Sequence, residues 1–320
     1  MANTNNAATV WNCPNYTGEL YLIGANQTPF LNMIGGLQGN RVKTVAHFEF
    51  PLNQNWALES ASQPAITETA SLTAPNPWTY VRGQDTNTCQ IFHRSVSVSY
   101  AKQSVVGAVT ADATTGLVDI TDNQPVQNER DFQIAAHMRQ IAVNVDYTFL
   151  NGAYQKATSA GVAAKSRGII TAATTNTVNA SNAGLSRDLV NELLRTMATN
   201  GAEFINTVIF CNAFQKQKIS EIYGYAPDSR NVGGLNIKQI ETDFTMLGVV
   251  WAPNVPAATL LIADLAVCSP VYLPVPEKGV LFYEELAKVG ASEKGQVYGQ
   301  IGLDYGPEEY HGTITSLATS

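Results

Sequence analysis

The side chains able to carry chemistry are few and scattered. Histidine occurs at His47, His93, His137 and His311, and cysteine at Cys13, Cys89, Cys211 and Cys268. A zinc site needs three or four such ligands at tight spacing. No C-x-x-C is present, so the ligand arithmetic fails. The cysteines read as free thiols in a reducing compartment, two of them buried in strands. His47 and His93 fall on strand-like segments and could face each other. His137, between Ala136 and Met138 in helical sequence, reads as a packed or partly exposed side chain rather than a catalytic base. The doublets Glu284-Glu285 and Glu308-Glu309 lie in strand-like sequence, where neighbours point to opposite faces and do not converge on one substrate. There is no G-x-S-x-G nucleophile elbow and no G-x-x-x-x-G-K-[ST] phosphate loop, and Gly233-Gly234 reads as a turn. Cys211 ends a buried run and reads as an inert core thiol. No catalytic, cofactor-binding or metal-ligating residue is assigned.

The totals point away from chemistry as well. A chain of 320 residues suits one large or two to three modest domains. Its net charge of −7, without a Lys or Arg run, argues against a dedicated nucleic-acid binder, although a protein that merely encloses nucleic acid need not be basic. Charged residues make up only 14% of the chain, against about 25% in an ordinary globular domain. The surface must then be built largely of Thr, Ser, Asn and Gln, and such a surface associates readily. That fits either a β-rich globular protein or an assembly subunit covered by other subunits. No run reaches the ~18 apolar residues of a membrane span. "MANTNNAATV" lacks the basic and apolar regions of a secretory signal, so cytoplasmic synthesis is expected. The sequons at Asn15, Asn26 and Asn179 then carry no weight.

The elements follow from periodicity. Met1 to Val10 reads as disordered. The stretch "GELYLIGANQTPFLNMIGGL", Gly18 to Leu37, puts apolar residues close to the N-terminus, with Pro29 suited to open a short helix and Gly35-Gly36 to close it. An arm of this kind needs a surface to lie on. Period two predicts strands over Val42–Phe50 and Gln90–Tyr100. Between them, Pro51 to Trp78 is rich in Ser, Thr, Pro and Ala and lacks core formers, which suggests a long projecting hairpin. Trp56 and Trp78 stand near its two ends.

"NERDFQIAAHMRQIAVNVDYTFLNG", Asn128 to Gly152, carries one stripe of Ile134, Met138, Ile141, Val145 and Phe149. It predicts a helix of about 22 residues, roughly 33 Å long. Further on, Ser186 caps a helix with Leu189, Leu193, Leu194 and Met197 that stops at Asn200-Gly201. "NTVIFC" is a short buried strand, Asn212 caps a helix over Ala213–Tyr223, and Leu247–Trp251 and Leu260–Ala263 are buried strands. Alternation of this kind predicts an α/β layer domain from about Leu185 to Pro276. The C-terminal segments from Val280 return to β, divided by turns at Ser292–Gly295 and Gly306-Pro307, and are expected to rejoin the sheet begun upstream. No internal repeat is visible.

This order of parts resembles the major capsid proteins of tailed bacteriophages, whose Hong Kong 97-type fold is shared with herpesviruses and encapsulins. "TPFLNMIGG", Thr28 to Gly36, and "ELAKVGASEKGQVYGQIGLDYGPEEYHGTI", Glu285 to Ile314, are similar to phrases of one branch of that family. The resemblance implies an α+β chain with five parts. They are an N-arm over 1–40, an extended E-loop hairpin with its base strands over 41–105, a peripheral domain over 106–184 with its spine helix at about 128–151, an axial domain over 185–275, and strands returning to the peripheral domain over 276–320.

The same resemblance implies a structural virion protein. It would self-assemble through pentamers and hexamers into an icosahedral shell around double-stranded DNA, after synthesis in the host bacterial cytoplasm. The residues expected to meet a neighbouring copy are Phe30, Leu31, Trp56, Leu58, Ile66 and Trp78. Some members of the fold join a loop lysine to a neighbour's asparagine. Here no Lys lies between Pro51 and Tyr80, and Lys43 and Lys102 stand only near the base, so non-covalent contact is expected. A separate scaffold, portal or decoration protein and non-specific DNA contact are the further partners implied; no cofactor and no membrane are expected. Two other readings stand beside this one: an encapsulin-like compartment shell, and a cytoplasmic α/β enzyme with Pro51 to Trp78 as its lid.

Overall fold

The computed structural model describes residues 22, 27–37, 39–103, 108–111, 118–121, 128–224 and 238–319. The expectations for Met1 to Val10, Cys13, the sequons at Asn15 and Asn26, and Gly233-Gly234 lie outside them.

A five-stranded sheet is built around the 13-residue strand Ser292–Asp304. This strand pairs antiparallel with Gln90–Ser99, Leu281–Glu285 and Ser269–Tyr272, and Lys43–Thr44 adds in parallel to the last. The long helix Glu129–Asn151 packs on this sheet. The Asn128 carboxamide accepts the N–H groups of Arg130 and Asp131 to start it, and Glu129 and Asp131 sit in its first turn, where the helix dipole favours carboxylates. Ile141, Val145, Phe149 and Leu150 enter a core shared with Phe92, Val297, Ile301 and Leu303.

A six-stranded mixed sheet follows. Its spatial order is Thr177–Asn179, Gly312–Thr315, Leu260–Asp264, Thr207–Cys211, Met246–Trp251, Gln239–Glu241. Its helices are Arg187–Thr199, capped by Ser186, and Ala213–Tyr223, capped by Asn212. A second core gathers here from Leu193, Leu194, Met197, Ile219, Leu247 and Ile314. The C-terminal strands therefore divide between the sheets, Ser292–Asp304 joining the first and Gly312–Thr315 the second, instead of returning together.

Four strand expectations need correction. Glu308-Glu309 stand not in a strand but in the 3-10 turn Glu308–Tyr310. Val42–Phe50 is not one strand: it bends at 46–48 and splits into Lys43–Thr44, in the five-stranded sheet, and Glu49–Asn55. The partner of Glu49–Asn55 is Gly83–Thr88, in a separate two-stranded ribbon, and Gln90–Ser99 belongs to the body. Ser292–Gly295 is strand, not turn. Gly295 is glycine because Tyr283 lies across it: a Cβ there would come 2.1 Å from the phenol oxygen.

Candidate inter-subunit surface

The ribbon of Glu49–Asn55 and Gly83–Thr88 has a buried root. Phe50 and Leu52 enter the first core. The fully buried Asn87 carboxamide donates to the carbonyls of Leu303 and Arg167 and accepts from the N–H of Arg167 at 2.8 Å. Charged struts flank this root. Glu49 pairs with Lys156 and accepts from the Tyr154 hydroxyl, and Lys156 holds its carboxyl below the usual carboxylate range. Asp85 accepts from the Arg167 guanidinium at 2.6 Å and from the Tyr305 hydroxyl at 3.0 Å. Burial pushes the Tyr305 phenol up.

Beyond the root the chain has no core. Every residue from Asn55 to Asp85 is exposed. The only regular element in the connection is the single turn Glu68–Ser71, capped by the Thr67 hydroxyl. Apolar side chains are nevertheless spaced along it: Trp56, Leu58, Ile66 and Trp78 are 59%, 71%, 73% and 71% exposed. Trp56 stacks edge-on against Tyr80 at 5.7 Å, and Leu72 and Val81 are exposed further. A soluble monomer rarely leaves such a set uncovered.

Four of the six residues expected to meet a neighbour are thus on this loop, and two are not. Phe30 and Leu31 are buried within the chain and have no surface to offer a neighbour. Phe30 meets the Phe210 ring at 5.4 Å. The Leu31 N–H donates to the Asp146 carboxylate on the long helix. The apolar turn Pro29–Met33 therefore lies on its own subunit. Asp146 was not singled out from sequence; its signal is a carboxylate beside Val145 on the apolar stripe. The exposed Leu72 and Val81 were legible as isolated apolar residues in a polar run.

The residues weighed for chemistry are placed separately. His93 faces Tyr298 and the Gln296 side chain on the adjacent strand, not His47. His311 is fully buried. Its Nδ1 accepts the N–H of Asp264 and its Nε2 donates to the carbonyl of Tyr305, which fixes a neutral ring; burial holds its pKa below the ordinary value. Burial pushes the thiols of Cys89 and Cys211 to about 12 and that of Cys268 up as well. Glu284 is bound by Lys278 and Gln296, while Glu285 reaches Arg130 on the long helix. The Glu308 carboxylate is held by the N–H and hydroxyl of Thr174 and the hydroxyl of Thr175. Among the described residues no three His, Cys, Asp or Glu side chains form a metal-binding group, and no helix is long and apolar enough to cross a membrane.

No curated protein sequence matches the chain. Solved structures with a similar fold include the capsid of a native GTA particle, at 14% identity and a TM-score of 0.62 over 96% of both chains. The capsid of cyanophage A-1(L) aligns at 13% identity and 0.63 over 99% of this chain and 98% of that one. An encapsulin of Synechococcus elongatus PCC 7942 aligns at 10% and 0.55 over 97% and 94%. The family described as SU10 major capsid protein matches residues 3–318. A Hong Kong 97-type α+β fold, a long coreless ribbon and a family match over nearly the whole length lead to one conclusion: the chain belongs to the SU10 major capsid protein family and is a subunit of a capsid shell.

Proposed function

We propose that copies of this chain meet as pentamers and hexamers and close into an icosahedral shell around double-stranded DNA, with the 55–85 loop of each copy laid over the next. The observation that supports this most is the loop itself: 55–85 is exposed throughout yet carries Trp56, Leu58, Ile66 and Trp78. Covering a large apolar side chain gains about 1.5–3 kcal/mol, so many individually weak contacts, repeated around a closed shell, suffice to hold it.

In this reading 1–40 is the N-arm, 41–105 the E-loop with its base strands, 106–184 the peripheral domain with Glu129–Asn151 as its spine, 185–275 the axial domain and 276–320 the returning strands. The role is architectural rather than catalytic. The loop contact is non-covalent, since no lysine lies between Pro51 and Tyr80. DNA is met by non-specific phosphate contact, and scaffold, portal and decoration proteins are separate chains. The protein is made in the host cytoplasm and ends in the virion. The fold similarity to an encapsulin keeps a compartment shell as the second reading.

Sedimentation of the purified protein, with electron microscopy of the fast fraction, tests the proposal. Closed shells that protect DNA from nuclease support it, closed shells holding protein cargo and no DNA favour the compartment, and a monomer or dimer under all assembly conditions overturns both.

A further inference from the structure

The strand Gln90–Ser99 is hydrogen-bonded on one side only among the described residues, to Ser292–Asp304. Along it, at the end where it meets the long helix, runs a cleft of about 580 Å³ lined by Gln90 to Arg94 and by Asn144, Tyr147 and Thr148. Two of its apolar side chains face solvent, Ile91 and Tyr147. Arg94 is half-buried there, and its guanidinium makes no hydrogen bond or ion pair among the described residues. Its charge falls on His137, whose pKa is lowered first by burial and then by this guanidinium. A half-buried cation with no acceptor is an incomplete arrangement. It is available to a carboxylate or phosphate from outside the subunit.

We propose that this cleft receives the 55–85 loop of a second copy, with Arg94 taking a loop carboxylate and Ile91 and Tyr147 covering its aliphatic neighbours. The inference rests on the shell reading above. Charge complementarity carries it. Between Trp56 and Val81 the loop has no Lys or Arg and only two carboxylates, Glu59 and Glu68. Neither pairs with a cation of its own chain among the described residues. Each stands next to, or two positions from, an exposed aliphatic: Leu58 and Ile66. No carboxylate lines the cleft. A second cleft, of about 470 Å³, sets Asp188, Glu192 and Asp243 against the single cation Arg195, so its net negative charge would repel the loop. The strand edge, unpaired among the described residues, adds backbone groups to which an extended segment can hydrogen-bond. A DNA phosphate is the poorer occupant, because backbone binding recruits several cations together and apolar surface gains nothing from it.

A charge swap tests this. Wild-type protein is first shown to form shells by sedimentation; if it forms none, the shell reading fails whatever the cleft does. Arg94→Glu and the double variant Glu59→Arg/Glu68→Arg should each raise the concentration threshold for assembly about tenfold. Combining all three changes should bring the threshold back towards wild type. A wild-type threshold in Arg94→Glu overturns the proposal, and so does failure of the combination to recover. Normal assembly of Arg94→Glu with loss of packaged DNA also overturns it and assigns Arg94 to phosphate. Should Arg94→Glu fail to fold, as judged by its thermal melt, a cysteine pair decides. Ile91→Cys/Ile66→Cys and Ile91→Cys/Leu58→Cys chains, oxidised in shells, should give disulfide-linked dimers in at least one pair; monomers alone in both overturn the proposal.

Discussion

The carboxylate of Asp146 caps a helix that lies 115 positions earlier in the chain: its Oδ1 accepts the N–H of Leu31 at 2.9 Å. Its Oδ2 accepts the Asn254 amide at 2.7 Å. The turn Pro29–Met33 gets no side-chain cap from its own Thr28, so the long helix supplies the missing acceptor and holds Phe30, Leu31 and Ile34 in the core.

Removing that acceptor should loosen the turn. Asp146→Ala leaves the Leu31 N–H and the Asn254 amide unpaired, and should cost about 1–3 kcal/mol. Asp146→Asn should cost less, because its oxygen still accepts from Leu31 while its NH₂ group opposes the Asn254 donor. Denaturant unfolding of the full chain checks the order.

Two buried groups make stability depend on pH with opposite signs. His311 has its pKa held below 6.5 by burial. As pH falls below 6.5 the unfolded chain takes up a proton that the folded ring refuses, so this contribution is complete above 6.5 and lost on acidification. Asp146 is raised by burial, so its contribution is present at low pH and lost as pH rises through its folded value. The two slopes oppose each other, and substitution separates them. His311→Asn should start lower and remove a fall in melting temperature between pH 6.5 and 5.5; what remains belongs to His137, whose pKa is also lowered, and to Asp146 with the opposite sign.

The loop should separate folding from assembly. Trp56→Ala with Trp78→Ala removes side chains that touch little of their own chain, so the melt of the unassembled subunit should stay within about 0.5 kcal/mol of wild type. Shell yield measured by sedimentation should drop. Equal loss of both would place these rings in the subunit's own core.

A tighter constraint sits at the end of the long helix. Gly168 passes so close that a Cβ would lie 2.5 Å from the Gly152 nitrogen and 2.7 Å from the Leu150 carbonyl. These are backbone atoms and cannot rotate away. Gly168→Ala should therefore destabilise by about 1–3 kcal/mol, read from the urea midpoint.

What could be read in the sequence was local. The Asn128, Ser186 and Asn212 caps, the stripe on Glu129–Asn151 and the buried runs at Thr207–Cys211 and Leu260–Asp264 each announce themselves within a few residues. Pairing did not. The alternation of Gln90–Ser99 says strand, but that its partner lies some 200 residues later depends on which face the long helix covers. Gly295 was read as a turn because a glycine's reason can be another residue's ring. The exposure of Leu58 and Ile66 was legible as apolar residues in a coreless run. The burial of Phe30 and Leu31 was not, because it depends on Asp146 and Phe210 arriving from elsewhere.

The strands Thr207–Cys211 and Leu260–Asp264 send alternate side chains into the two cores: Val208, Phe210, Leu261 and Ala263 to one side, Ile209, Cys211, Leu260 and Ile262 to the other. Parting the two halves would strip both faces of one sheet at once. The subunit body thus behaves as a stiff plate, and the curvature of the finished shell must be taken up at the joints between plates rather than by bending within them.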